Sequence, residues 1–245
     1  MSEFNEFDQQ GSVPNRETGS IISHAFEMYK GIFGYAIVAM IIYIAGGFII
    51  QAVTGFNSAA IMEEMQSSGD YSNFRYWETP GFSSYMTFSS LFLLLLTPLY
   101  VGLIYMVNKF NTKNPIEFSD LFIGYRQNLV NILIYSFISG IISSIAMGLC
   151  FLPFLFVYPF LLLGYPILLF ENASAMDALS RSFNIAKENY GTFLVTSLLG
   201  LLISGAGIIL CGIGLIVTAP FIMIVMYSTY CAYLGKPRQI MFKQQ

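Results

Sequence analysis

Charged residues are scarce in this chain. Only 10% of its 245 residues are Asp, Glu, Lys or Arg, whereas 56% are hydrophobic. Soluble domains carry about a quarter charged residues, so a water-soluble fold of this length could not cover its surface. The composition therefore excludes an ordinary soluble enzyme or binding domain. The net charge of −3 and the lack of a basic stripe also exclude a nucleic-acid partner.

Histidine and cysteine, the side chains that most often bind metals or act as nucleophiles, are almost missing. The single histidine, His24, cannot supply the several donors that a metal site requires. The three cysteines lie far apart without a histidine partner, so the sequence predicts neither a zinc site nor a thiol nucleophile. No glycine loop that cradles a phosphate is present outside the apolar runs. We therefore expect a non-enzymatic protein without a cofactor.

Six long apolar runs contain no acidic or basic residue. Each is near the roughly 20 residues that a tilted helix needs to cross a bilayer, and helix is the open-ended backbone state that lipid tolerates. The sequence thus predicts an all-α polytopic membrane protein with six transmembrane helices. Ion-coupled transporters nearly always place ionisable groups at depth, so this pattern argues against that class. The runs are 32–53, 87–108, 128–149, 151–170, 191–212 and 214–234.

The distribution of basic residues predicts the orientation. Bases concentrate on the cytoplasmic side of membrane proteins. With the N-terminus in the cytoplasm, ten of the 11 bases lie inside and only Arg75 lies outside. Both termini are therefore predicted to be cytoplasmic. The inside bases are Arg16, Lys30, Lys109, Lys113, Arg126, Arg181, Lys187, Lys236, Arg238 and Lys243.

One pattern occurs three times: an amphipathic stretch with a phenylalanine and a base four residues later, followed by two apolar runs of which the second contains a proline. Such self-similarity is typical of a reused supersecondary unit. We predict three pseudo-repeated units, about 18–110, 114–171 and 174–235, each an interfacial amphipathic helix plus a transmembrane hairpin. The Phe/base pairs are Phe26/Lys30, Phe122/Arg126 and Phe183/Lys187, and the prolines are Pro98, Pro159 and Pro220.

The predicted domain organisation follows from these units. Residues 1–17 are polar and acidic, so we expect a disordered tail. Residues 18–236 are expected to form a single membrane domain, and 237–245 a C-terminal tail. The first unit is longer than the others because of an outside loop at about 54–86. We expect this loop to lie on its own bundle as a lid, with its aromatic residues in the headgroup region. The alternative is a surface that contacts an envelope protein.

The three amphipathic stretches are too short and too polar to span, and we expect them to lie in the cytoplasmic interface with the aromatic face in the lipid. Asn114, Pro115 and Glu117 predict a helix start in the second stretch, and Ser174 with Asp177 predicts one in the third. The alternative is that these stretches are connectors packed on the bundle. The predicted interface residues are Phe26, Lys30, Phe118, Phe122, Arg126, Leu179, Phe183 and Lys187.

Pro98, Pro159 and Pro220 each lie within a run, where a proline removes a backbone hydrogen bond and bends the helix. Aromatic or hydroxyl residues near these prolines are expected to pair with the freed carbonyls through a neighbouring helix or a water. They are Thr97, Tyr100, Tyr158, Tyr165, Thr218 and Tyr227. Ordinary kinked packing is one interpretation, and a kinked cavity is the other. Small residues let helices approach closely, and we expect packing within the chain at Gly140, Ser144, Gly148, Gly200 and Ser204.

The stretch Ala178-Leu-Ser-Arg-Ser-Phe-Asn-Ile-Ala-Lys187, followed by Asn189-Tyr-Gly-Thr-Phe193, resembles a known group. It is similar to bacterial multi-span proteins grouped with the glycerophosphodiester phosphodiesterase membrane domain and the YciC-like families. The resemblance covers about residues 150–195. It implies a six-span protein of the bacterial inner membrane that acts beside lipid or envelope enzymes. The phosphodiesterase domain has no counterpart here, so that activity is not implied.

Two functional hypotheses follow. The first is a non-enzymatic inner-membrane protein that organises lipid or an envelope protein complex, with membrane lipids as its partners. The second is a transporter or channel component with a cavity lined by the proline-kinked helices. A closed, packed core with lipid-facing grooves would favour the first, and a continuous water-filled path between the kinked helices would favour the second.

Overall fold

The computed structural model describes residues 11–59, 61, 63, 67, 76–149, 151–210 and 212–237. Within these residues the secondary structure is helical, with no strand. Six helical stretches are long and apolar enough to cross a membrane, which confirms the prediction of an all-α protein with six spans. They are Thr18–Thr54, Phe82–Asn111, Leu129–Gly148, Leu152–Glu171, Tyr190–Ile209 and Leu215–Leu234.

Several of these stretches contain more than one helix. The α-helices in chain order are α1 Thr18–Thr54, α2 Phe82–Asn111, α3 Ile123–Arg126, α4 Leu129–Gly148, α5 Leu152–Val157, α6 Gly164–Glu171, α7 Ala175–Glu188, α8 Tyr190–Gly205, α9 Leu215–Thr218 and α10 Phe221–Leu234. Short 3-10 helices cover Tyr76–Glu78, Phe118–Phe122, Tyr158–Leu161 and Ala206–Leu210.

The chain forms two compact units rather than the single predicted membrane domain. The first unit comprises residues 1–40 and 97–245, and the second comprises 41–96. The second unit has contacts of its own that explain the division. Phe56 stacks on Tyr85 with 4.6 Å between ring centroids and meets Phe82 edge-on at 5.7 Å. Residues 60, 62, 64–66 and 68–75, which include much of the predicted outside loop, lie outside the described residues.

The first predicted interfacial helix is continuous with the first span. Helix α1 runs for 37 residues without a break, about 55 Å at 1.5 Å per residue. Gly31, where the apolar run begins, does not interrupt it. The ring of Phe110 lies directly against this glycine. The separation of an interfacial helix from the first span is therefore wrong for this unit.

The N-terminal tail is only partly as predicted. Residues 1–10 lie outside the described residues, but residues 11–17 are held on the first unit, so the prediction of disorder is wrong for them. Ser12 is hydrogen-bonded to Asn111 at 2.8 Å, Pro14 is buried, and Arg16 donates to the carbonyl of Ala232 at 3.3 Å. The prediction was based on the polar side chains of this segment, whereas main-chain groups make many of these contacts. Of the C-terminal tail, residues 238–245 lie outside the described residues.

The prolines interrupt two of the six spans. The fourth span breaks between α5 and α6, where Pro159 lies in a 3-10 turn, and the sixth breaks between α9 and α10, where Pro220 is the residue before α10. Helix α2 continues through Pro98 without a break. Proline lacks the amide hydrogen that an uninterrupted helix needs at that position, so the interruptions at Pro159 and Pro220 are as expected.

The small residues of the fourth and eighth helices differ in role. Gly200 packs as predicted, with Ile222 and Val225 of α10 against its Cα, and Ser204 is buried. In α4 the prediction is wrong, because Ser144 is exposed and no atom lies within 4 Å of a Cβ built on Gly140 or Gly148. The inward face of α4 is instead Ile132, Tyr135, Ser136, Ser139 and Ala146.

Candidate functional site

The third amphipathic stretch, helix α7, begins as the sequence predicts. Ser174 is the N-cap residue, and its hydroxyl oxygen accepts a hydrogen bond from the amide of Asp177 at 3.2 Å. This bond satisfies one of the free amides of the first helical turn. The face of α7 that packs on the bundle carries only small residues, which lets the helix axis approach closely. These residues are Ala175, Ala178, Ser182 and Ala186.

Ser182 connects α7 to the break in the fourth span. Its hydroxyl donates to the carbonyl of Phe160 at 2.6 Å and accepts from the amide of Leu163 at 3.2 Å. Both main-chain groups belong to the non-α-helical stretch between α5 and α6. Ser182 is fully buried, where an unpaired polar group would be costly. One side chain from an amphipathic helix thus replaces hydrogen bonds that the broken helix cannot form itself.

Two tyrosine hydroxyls also donate to main-chain carbonyls at this break. Tyr135 of α4 donates to the carbonyl of Leu161 at 2.9 Å, and Tyr190 of α8 donates to the carbonyl of Phe156 at 3.1 Å. The ring of Tyr135 lies directly against Gly164, where a Cβ would overlap it. Hydroxyls do pair with main-chain carbonyls at this break, but they belong to Tyr135 and Tyr190 of other helices and not to the tyrosines near the proline, since the Tyr165 hydroxyl donates to Ser136 Oγ instead. Gly164 gives Tyr135 access to the break.

An ion pair also connects α7 to the end of α6. Arg181 donates to both carboxylate oxygens of Glu171, the last residue of α6, and the Tyr230 hydroxyl donates to Glu171 Oε1 at 3.1 Å. Bidentate pairs of this kind combine charge with a fixed geometry. Hydrogen bonding to Glu171 raises the pKa of the Arg181 guanidinium further above its usual value. Helix α7 is therefore joined at two points to the span on which it packs.

The first amphipathic stretch, residues 18–30 of α1, docks on the break in the sixth span. The Tyr29 hydroxyl donates to the carbonyl of Val217, three residues before Pro220. The rings of Phe26 and Phe221 lie 4.6 Å apart, and Tyr29 meets Phe221 edge-on at 5.8 Å. As in the third stretch, a hydroxyl pairs with a carbonyl of the break while a phenylalanine covers the residue after the proline.

The second amphipathic stretch, residues 118–126, docks on the span that contains Pro98. Here close backbone packing replaces the hydroxyl contacts. A Cβ on Gly124 would overlap the carbonyl of Pro98, and a Cβ on Gly102 would overlap the carbonyl of Leu121. Glycine is required at both positions because the two backbones lie too close for a side chain.

The start of this second stretch differs from the prediction. The N-cap residue is Glu117 rather than Asn114, and a 3-10 helix begins at Phe118. Asp120 explains the shift, because its Oδ2 accepts from the Glu117 amide at 2.7 Å and forms a 2.8 Å salt bridge with Lys109 of α2. A tertiary contact with α2 thus places the cap three residues later than the local sequence suggests.

The opposite faces of the three stretches carry the predicted aromatic and basic residues. The side chains of Phe26, Phe118 and Phe183 are 43%, 52% and 43% exposed. Phe122 and Leu179 are only half-buried, and Phe183 also contacts the ring of Phe160 at 4.8 Å. The three bases Lys30, Arg126 and Lys187 are all exposed. Each stretch therefore packs on the bundle and leaves outward an exposed base and the exposed part of an aromatic ring, although the rings of Phe26 and Phe183 also contact Phe221 and Phe160. We call this outward part of each stretch its free face.

Two groups of residues were not predicted from the sequence. Ser182, Tyr135, Tyr190 and Gly164 hold the break in the fourth span, and Gly102 and Gly124 allow the second stretch to pack on α2. A signal existed for one of them, since Ser182 is a polar residue on the small-residue face of an otherwise amphipathic helix. No cluster of three or more His, Cys, Asp and Glu side chains able to hold a metal occurs within the described part of the chain.

No family model, curated protein or solved structure matches this chain. The resemblance to the glycerophosphodiester phosphodiesterase membrane-domain and YciC-like group therefore stays a prediction.

Proposed function

We propose that this chain is a non-enzymatic, multi-pass protein of the bacterial inner membrane that organises anionic lipid around its cytoplasmic rim. The observation that carries the proposal is the free face of each amphipathic stretch. Each face presents a partly exposed phenylalanine and an exposed base four residues later, at Phe26/Lys30 and Phe183/Lys187, with Phe122/Arg126 joined by the more exposed Phe118. We call these pairs the three Phe/base pairs.

An aromatic ring and a base on the same helix face fit the boundary between acyl chains and phosphates. The ring enters the acyl region, while the base stays among the phosphate groups, where each base near an anionic surface contributes about 1 kcal/mol of attraction. The packed faces keep the three stretches on the bundle, so the three pairs are held by the fold rather than by the lipid. Such a protein would gather anionic lipids beside it.

The order in which the three stretches pack on the spans supports the predicted repeat. The second stretch docks on Pro98 of the first predicted unit, the third docks beside Pro159 of the second unit, and the first docks beside Pro220 of the third unit. We infer three pseudo-repeated units, in which every amphipathic stretch packs on the proline-bearing span of another unit. Three similar lipid contacts around one rim would follow from that arrangement.

The lipid proposal predicts a change in lipid retention when the three bases are neutralised. We expect the triple variant Lys30→Gln, Arg126→Gln, Lys187→Gln to retain far less phosphatidylglycerol than the wild type after both are purified from bilayers of equal phosphatidylglycerol and phosphatidylcholine. At about 1 kcal/mol for each base, the preference for the anionic lipid should fall by about 100-fold. Native mass spectrometry of the bound lipids measures it.

The matched control is Lys113→Gln, which removes an exposed base that has no phenylalanine four residues before it. This variant should keep most of the wild-type preference for phosphatidylglycerol. Equal lipid retention by the triple variant and the wild type would contradict the proposal, and so would equal losses from the triple variant and from Lys113→Gln after correction for the number of charges removed.

The cytoplasmic position of the rim is part of the proposal. Support comes from the ten inside bases and from the contact of Arg16 with Ala232, which brings the N-terminal residues and the end of α10 together. Arg75, Arg238 and Lys243 lie outside the described residues. Reporter fusions after Ser67 should report the outside and fusions after Lys113 the cytoplasm, and the opposite pair of results would overturn the orientation.

The alternative, a transporter or channel component, has one observation in its favour. Spans four and six are discontinuous, as are helices that form the midplane sites of many transporters. At the break in span four, however, the main-chain groups that a substrate or ion would need are already hydrogen-bonded to Tyr135, Ser182 and Tyr190. These contacts favour the lipid organiser.

The loop 54–86 remains a second proposed surface, for an envelope protein, and Trp77 within it is 67% exposed.

A further inference from the structure

The N-terminal residues 11–17 form a strap on the first unit. Gly11 adopts a φ of +121° beside the backbone of Asn111, a conformation that favours glycine. The strap then continues through the buried Pro14 to Arg16, whose guanidinium donates to the Ala232 carbonyl and lies 5.3 Å from the centre of the Tyr233 ring. The strap therefore joins the last residue of α2 to the end of α10.

Asn111 recognises the main chain of the strap rather than its side chains. Its amide oxygen accepts from the Ser12 backbone amide at 2.8 Å, and its amide nitrogen donates to the Ser12 carbonyl at 2.9 Å. The Ser12 hydroxyl adds a longer contact to the same oxygen at 3.2 Å. A side-chain amide offers both a donor and an acceptor, so this two-point pairing matches any extended residue that has a free N–H.

A buried polar cluster holds Asn111 in place. The Asn111 amide nitrogen also donates to the Tyr227 hydroxyl at 2.9 Å, and Tyr227 donates to Asn108 Oδ1 at 3.0 Å. His24 and Ser228 extend the cluster with a 2.9 Å contact between Nδ1 and Oγ. Asn108, Asn111, Tyr227 and His24 are all buried. The main-chain receptor is thus fixed by the bundle and does not depend on the strap for its orientation.

We propose that the ends of α2 and α10 form a binding site for an extended polypeptide segment, and that the strap occupies this site as an intramolecular ligand. In this site Asn111 forms hydrogen bonds with the main chain of the segment. The buried position of Pro14 accommodates a small apolar residue, and the Tyr233 ring and the Ala232 carbonyl bind an arginine. A segment of a partner protein with this pattern would bind when the strap leaves. The proposal is independent of lipid binding, because it involves none of the three Phe/base pairs.

The test uses the full chain with a weakened strap. The double variant Ser12→Pro, Arg16→Gln removes the N–H that Asn111 binds and the guanidinium that binds Ala232, and it leaves the site itself unchanged. A fluorescent peptide with the sequence of residues 9–17 is the probe, and fluorescence anisotropy gives its Kd. The site is free more often in the variant, so the peptide should bind about tenfold more tightly than to the wild type, where the strap competes.

Two controls decide the outcome. A peptide in which proline replaces the serine lacks the main-chain donor and should lose binding to the double variant, and the protein variant Val13→Ser, at a side chain that is 45% exposed, should bind the probe as the wild type does. Equal Kd values for the wild type and the double variant would overturn the proposal. It would also be overturned by undetectable binding to both proteins or by equal binding of the proline peptide.

Discussion

Replacing Gly164 by alanine should lower the free energy of unfolding by about 2–4 kcal/mol, because the new Cβ would overlap the ring of Tyr135. Two costs combine in this variant. The ring must move in a closely packed region, and its movement breaks the hydrogen bond from the Tyr135 hydroxyl to the Leu161 carbonyl. That carbonyl would then remain buried without a partner, at the break where the helix cannot supply one.

Unfolding in mixed micelles of mild detergent and dodecyl sulfate, followed by circular dichroism, measures this loss. The control is Gly140→Ala, in which the added Cβ meets open space. Since alanine favours helix over glycine by up to about 1 kcal/mol, the control should be unchanged or slightly more stable. A Gly164→Ala variant as stable as the wild type would show that Tyr135 does not occupy the break as described.

Replacing Ser182 by alanine should cost about 2–4 kcal/mol of stability, since it leaves one buried donor and one buried acceptor without a partner. Alanine preserves the close approach of α7, whose packed face already contains Ala175, Ala178 and Ala186. The loss therefore reports on the hydroxyl contacts with Phe160 and Leu163 rather than on packing. It is measured by the same unfolding assay.

Ser180→Ala is the matched control, because Ser180 is on the exposed face of the same helix. Its effect should stay within about 0.5 kcal/mol, as for most surface substitutions. If the two variants lost equal stability, the effect would belong to helix propensity and not to the break. If neither lost any, the role given to Ser182 in the fourth span would be wrong.

The parts of the structure that depend on solvent and local sequence were predictable. Six charge-free runs of spanning length give the six spans, because lipid excludes charge and requires internal hydrogen bonding. The cap of α7 by Ser174 also follows from adjacent residues. Pro159 and Pro220 predict interruptions for a local reason, namely the missing amide hydrogen.

Tertiary contacts decide what the sequence analysis missed. The partners of Ser182 lie 19 and 22 residues away in the chain, so no local pattern reveals them. Asp120 moves the start of the second stretch because it also pairs with Lys109 on α2. Gly140, Ser144 and Gly148 of α4 face outward, because another face of that helix, which contains Tyr135 and Ser136, points to the interior. In each case a contact between distant elements outweighs the local preference.

Through Ser182, helix α7 supplies the hydrogen bonds that the break in the fourth span lacks. Hydrogen exchange, followed by mass spectrometry of the protein in lipid nanodiscs, tests this role when the wild type is compared with Ser182→Ala. We expect slow exchange over residues 160–163 and 175–188 in the wild type and faster exchange of both segments in the variant. Rapid exchange of both segments in the wild type, unchanged by the substitution, would contradict it.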